Sequence, residues 1–189
     1  MFNIIYKIKE AVVRFFGDVR IYPGGFVLFG NSSYKIKGPD MREILNLLEP
    51  GDALLRRYDS FLGSRLIPGY WSHIGLYVGD NTMIHMLHDG ILAEDILTFL
   101  RCDHIAVLKP VAQDKVSLDL VLDRAYKYLA VHTEYDFAFD FDLKDDDKMS
   151  CTEFLRNCYG DPKFYKRETS KYILPDDFLH SIFKVAWKK

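Results

Sequence analysis

The stretch Ser72–Leu87 limits the possible folds of this chain more than any other. In Ser72-His73-Ile74-Gly75-Leu76-Tyr77-Val78 strict alternation sends Ile74, Leu76 and Val78 to one face of a strand, and His73, Gly75 and Tyr77 to the other. The turn residues Gly79-Asp80-Asn81 follow, and Thr82 to Leu87 reads as the returning strand of an antiparallel hairpin. A glycine beside His73 leaves space over that face, as where a helix end or a ligand approaches closely. The hairpin register decides which imidazole meets His73. A three-residue loop at Gly79–Asn81 puts His85 on the His73 face, one pair away. A two-residue turn at Asp80-Asn81 puts His88 directly opposite His73.

Around this hairpin the pattern reads as helices, then strands, then helices, which implies an α+β fold with an antiparallel sheet. Residues 2–16 form an amphipathic pattern that includes Ile5, Val12, Val13 and Phe16 with basic residues between them. Such a helix packs on the domain or makes peripheral contact with an anionic membrane surface. Gly17 to Lys37 reads as one or two short strands or an irregular arm. Asp40-Met41-Arg42-Glu43 is a capping box opening a helix through Leu48. Strands are expected over Asp52–Tyr58 and His104–Lys109, with a short helix or loop at Ser60–Ile67. Helices are expected over 94–100 and 118–129, and a last helix from Pro175-Asp176 towards Trp187. Residues 1–39 then form an extension and 40–189 one domain.

Ser150-Cys151-Thr152-Glu153 is a second capping box, with Cys151 at the first helical position. Unsatisfied amides and the helix dipole there favour a thiolate, so Cys151 is a candidate nucleophile, against the alternative of a small buried hydrophobe. Cys102 and Cys158 read as structural. Three cysteines without a Cys-x-x-Cys pair give neither a disulfide framework nor a zinc site, and a reducing, cytoplasmic setting fits them best. Lys7, Lys9, Glu10 and Arg14 break any signal-peptide core, and no window has the length of a membrane span. A net charge of −2 argues against nucleic acid as a partner. The acidic run Asp136, Asp140, Asp142, Asp145, Asp146 and Asp147 lacks the glycine and terminal glutamate of a calcium loop, so no metal or cofactor is expected.

Three segments taken together, Leu48-Glu49-Pro50-Gly51-Asp52-Ala53-Leu54-Leu55, Trp71 to Asp80 and Ser150 to Phe154, resemble the circularly permuted papain-like thiol hydrolases, YiiX-like relatives of the NlpC cell-wall peptidases. Tyr135 to Asp140 and Leu174-Pro175-Asp176-Asp177-Phe178 also match that group, and the resemblance spans roughly residues 48 to 180. It implies a permuted papain-like catalytic domain over 40–189, with a Cys–His–polar triad in which histidine precedes cysteine. Cys151 would be the nucleophile, His73 the base and His85 the orienting group. The hairpin also resembles that of lecithin–retinol acyltransferase relatives, whose second histidine follows twelve residues on, at His85 here. YiiX-like enzymes usually carry Glu at that point. Tyr135 and Ser72 are candidate substrate contacts, and the Cys151 amide is a candidate oxyanion donor. The implied activity is cleavage of a small peptide or amide, such as a cell-wall peptide fragment, through an acyl-enzyme. The alternatives are a lipid acyltransferase or thioesterase, and a binding module without chemistry.

Overall fold

The computed structural model describes residues 6–12, 34–59, 61–111, 117–137, 148–160 and 173–189, and the backbone of 19–22 and 25–28. A helix over 6–12, α1, is followed by a small hairpin, β1 (Val19–Tyr22) and β2 (Gly25–Leu28), and by α2 (Gly38–Leu47). The next elements are β3 (Ala53–Arg57), α3 (Gly63–Leu66), β4 (His73–Gly79), β5 (Thr82–Leu87), β6 (Gly90–Asp95), α4 (Ile96–Phe99) and β7 (His104–Pro110). Helix α5 (Leu118–Ala130), β8 (Glu134–Tyr135), β9 (Lys148–Met149), α6 (Cys151–Tyr159), a 3-10 helix (Pro175–His180) and β10 (Phe183–Lys188) complete the order.

Six strands form one antiparallel sheet in the order β10-β7-β3-β4-β5-β6. The fold is therefore α+β. Alternation along the strands gives the sheet two apolar faces. Leu55, Ile74, Leu76, Ile84 and Met86 pack against Val121 and Ala125 of α5 and Phe154, Leu155 and Cys158 of α6. On the opposite face Leu54, Met83, Ile105 and Val107 pack against Ile44 of α2 and Ile96 and Phe99 of α4. Each such side chain, taken wholly out of water, contributes roughly 1.5–3 kcal/mol. The sheet is thus rigid where it carries β4 and β5.

The hairpin combines features of both registers open to the sequence. Its turn has two residues, Asp80 and Asn81, both with positive φ (48° and 57°), the conformation favoured in tight hairpins. A bulge between Tyr77 and Gly79 adds the residue that the turn omits, so Gly75 faces His85 and Tyr77 faces Met83. The bulge returns His85 to the face of His73.

Three elements depart from their predicted form. The helix expected over 94–100 is shortened to Ile96–Phe99, because Gly90–Asp95 pairs along all of β5 and only then does Asp95 cap the short α4 by accepting from Leu97 N at 2.8 Å. The last helix stops after six residues as a 3-10 turn, and Phe183–Lys188 becomes an edge strand on β7. Helix α2 starts at Gly38, with Asp40 in its first turn accepting from Lys37 N at 2.8 Å. Residues 2–5 and 13–16 of the N-terminal pattern, and Asp140, Asp142 and Asp145–Asp147 of the acidic run, lie outside the described residues.

Candidate active site

Four neighbouring strands each supply one polar side chain to the same face. Arg56 of β3 stands opposite His73 of β4, His85 of β5 is opposite Gly75, and Glu94 of β6 is opposite Met83. His73 Nε2 and His85 Nδ1 are 2.9 Å apart, and His85 Nε2 is 3.2 Å from Glu94 Oε2. Arg56 Nη1 lies 3.5 Å from the same Glu94 oxygen and 3.4 Å from the carbonyl oxygen of Phe99. The Phe99 ring closes the cluster, with the Arg56 guanidinium 4.2 Å from its centroid and the His85 ring edge-on at 5.1 Å. Gly75 makes this possible: a Cβ there would come within 3.0 Å of Phe99 and 3.1 Å of His85 Cβ. The space over the glycine is filled by Phe99 at the end of α4, so the close approach expected there is that of a helix end and no ligand is needed to explain it.

Cys151 sits at the start of α6 inside the capping box read from the sequence. Ser150 N donates to Glu153 Oε2 at 2.7 Å, and Glu153 N donates to Ser150 Oγ at 3.3 Å. The helix packs on the Ile74–Leu76–Val78 face of β4, the side away from the His73 ring. The sulfur faces the backbone amides of Ile74, Thr152 and Cys151 itself. The thiol thus meets β4 at Ile74, the residue after His73, on the strand face opposite the His73 ring. Asp176 holds the approach to that end by accepting from Tyr70 N at 3.1 Å and Trp71 N at 2.9 Å.

The other candidates fall on or near one cleft of about 500 Å³, bordered by His73, Ser72, Arg56, Glu94, His88 and Tyr135. Tyr135 is half-buried on β8, and Tyr6 of α1 donates to its carbonyl oxygen at 3.2 Å. Burial, then the neighbouring thiol, raises its hydroxyl well above the usual phenol range, so it stays a proton donor. The Ser72 hydroxyl accepts from Ser64 Oγ at 3.0 Å and donates to Arg56 O at 3.3 Å, which binds α3 to the sheet. His88 lies at the rim with Asp89 3.2 Å from its Nε2, away from the His73 ring. Cys102, Cys151 and Cys158 are all free thiols.

Burial sets the protonation of the site. It drives His73 well below 6.5, helped by the positive charge of Arg56 and by His85. Burial also takes His85 down to about 4, against the opposing pull of the Glu94 carboxylate near its Nε2. The Cys151 thiol is pushed up to about 11 because desolvation outweighs the amides that favour its thiolate. The helix start by itself does not produce a resting thiolate, contrary to the sequence expectation. Thiol and imidazole both rest neutral. Stability should respond accordingly. The unfolded chain protonates this histidine near 6.5 and the folded chain only near 4, so between those values the unfolded state binds more protons. Stability should therefore fall as pH drops through that window, by about 3 kcal/mol from His85 once pH reaches 4. Urea midpoints at pH 7 and pH 4.5 for the wild type and His85→Gln check this. An equal loss in both proteins would refute it.

Residues 47–180 match the family described as permuted papain-like amidase enzyme, YaeF/YiiX, C92 family. The chain belongs to this family. Permuted papain-like amidases are cysteine hydrolases. No curated protein and no solved structure gives a match. Strand β10 lies beyond the matched residues yet completes the sheet on β7. Sequence reasoning did not name Glu94 or Arg56 for the site. Glu94 was hidden by the omission of strand β6, without which His85 has no outer neighbour, whereas Arg56 lies on the expected strand β3, whose pairing beside β4 the sequence order does not give. Among the described residues no group of His, Cys, Asp and Glu is arranged to hold a metal ion, and no helix is long and apolar enough to cross a membrane.

Proposed function

We propose that this amidase cleaves small peptide or isopeptide bonds through an acyl-enzyme on Cys151, with His73 as base and His85 as the group that orients it. The observation that carries the reading is the 2.9 Å contact between His73 Nε2 and His85 Nδ1, next to the β4 end where the thiol meets Ile74. His73 Nδ1 makes no hydrogen bond to the described residues and is the nitrogen left for the thiol. Since both groups rest neutral, the sulfur attacks the carbonyl carbon as its proton passes to His73 Nδ1. The developing oxyanion is met by the Cys151 amide at the helix start, with the Tyr135 hydroxyl as a further donor. Collapse breaks the C–N bond, and His73 returns the proton to the leaving amine. Water, deprotonated by His73, then splits the thioester and restores the thiol.

A second reading, acyl transfer or thioester hydrolysis on a lipid, is favoured by the cleft lining of Tyr34, Tyr58, Phe61, Leu66, Ile67 and Leu87. Intact-mass analysis after incubation with a cell-wall peptide set and an acyl-ester set tests both. The expected result is an adduct on Cys151 from peptides, absent in Cys151→Ala. Adducts from acyl esters alone would move the assignment to the second reading. No adduct from either set would leave the fold as a binding module.

A further inference from the structure

We propose that Glu94 is a positioning residue for this reaction: its carboxylate fixes the tautomer of His85 and, through it, that of His73, so that His73 Nδ1 offers its lone pair to the Cys151 thiol. The inference rests on the roles given to Cys151 and His73 above. It starts from what each group can do. An ionised carboxylate only accepts hydrogen bonds, and a neutral imidazole has one N–H and one bare nitrogen. Glu94 Oε2 lies 3.2 Å from His85 Nε2, and the two can hydrogen-bond only with the His85 proton on Nε2 and Nδ1 bare. Bare Nδ1 lies 2.9 Å from His73 Nε2, so that nitrogen carries the His73 proton and His73 Nδ1 is left as the base. The proton order runs in one direction from β6 to β4.

The premises are the charge on Glu94 and the neutrality of His85, and the structure supports both. Burial opposes ionisation of Glu94, but His85 and the Arg56 guanidinium together outweigh it and hold the carboxyl below the usual range. Arg56, 5% exposed and seated on the Phe99 ring, also places a positive charge that disfavours a second proton on His85. The His85–Glu94 contact is close in distance but off-line in angle, and neither atom has a better-aligned partner among the described residues. Hydrogen bonds of this kind commonly tighten only when substrate is bound. Without Glu94, nothing facing His85 from the packed elements selects a tautomer. His85 with its proton on Nδ1 would make His73 Nε2 the acceptor and send the His73 proton to Nδ1, which blocks the base. In a Ser–His–Asp enzyme a wrong tautomer of this kind costs about four orders of magnitude.

Nitrogen-15 NMR of the imidazoles in the full chain at neutral pH reads the tautomers directly. In the wild type His73 and His85 are both expected to be protonated on Nε2. Glu94→Ala should give mixed tautomers on both rings, and Glu94→Gln, whose carbonyl oxygen can face both His85 and Arg56, should restore the wild-type pattern. Alkylation of Cys151 by iodoacetamide should slow about tenfold or more in Glu94→Ala and recover in Glu94→Gln. A proton on Nδ1 of His73 in the wild type, or unchanged tautomers in Glu94→Ala, would overturn the proposal. The wild-type spectrum suffices for this even where a variant does not fold. Failure of Cys151 to form any acyl adduct is a separate outcome, which removes the reaction and leaves the tautomer reading intact.

Discussion

His85→Ala is expected to lower kcat by about two to four orders of magnitude, and His88→Ala to change it by less than about threefold. The asymmetry follows from where the two imidazoles sit. His85 is fully buried and 2.9 Å from the His73 ring, whereas His88 is at the cleft rim beside Asp89. Losing His85 leaves the thiol and the base in place but removes the partner that fixes the base's ring, so the chemical step slows more than substrate binding weakens. KM should stay within a few-fold. Circular dichroism must show both variants folded for the comparison to count. Comparable activity for His85→Ala and the wild type would mean that the contact between the rings is only structural.

The choice between these histidines shows how much of the site the sequence made legible. Alternation placed His73, Gly75 and Tyr77 on one face, and the structure agrees. The sequence also contained both hairpin registers, since Gly79-Asp80-Asn81 suits either loop. What decides between them is the bulge at Val78, and a bulge is a response to packing on both faces that no single residue type announces. The capping box around Cys151 was legible because it is local: four consecutive residues satisfy one another's backbone groups. The state of the thiol was not legible. The sequence shows the amides that favour a thiolate, but not the desolvation that outweighs them, which comes from residues distant in the chain.

The two misread strands fail for related reasons. Gly90-Ile91-Leu92-Ala93-Glu94-Asp95 runs straight into Ile96–Phe99, and its three successive apolar residues have no period of two. Only pairing with β5 makes it a strand, and it is this pairing that places Glu94 near His85. The C-terminal stretch opens with Pro175-Asp176, a good helix start, yet its continuation gains more by pairing with β7, where a bulge between Val185 and Trp187 blurs the alternation. Edge strands depend on a neighbour that sequence order does not reveal.

Phe99→Ala is expected to cost about 3–5 kcal/mol of stability, as buried phenylalanines do when truncated. Phe99 is fully buried at the end of α4, in contact with the rings of His73 and His85 and beneath the Arg56 guanidinium. The void would open among polar groups. Water admitted there would hydrate His85 and relieve the desolvation that now takes its pKa to about 4. The pKa of His85 should therefore rise towards 6.5, and the acid limb of activity should move up with it, since a protonated His85 can no longer accept from His73. Phe99→Leu keeps most of the apolar volume and should lose less stability and shift the histidine less. Urea unfolding with unchanged m, together with histidine titration by NMR, separates the two effects. A stability loss below about 1 kcal/mol would contradict the packing argument. A full loss with His85 still titrating near 4 would mean that Arg56, and not the dry ring, sets its pKa.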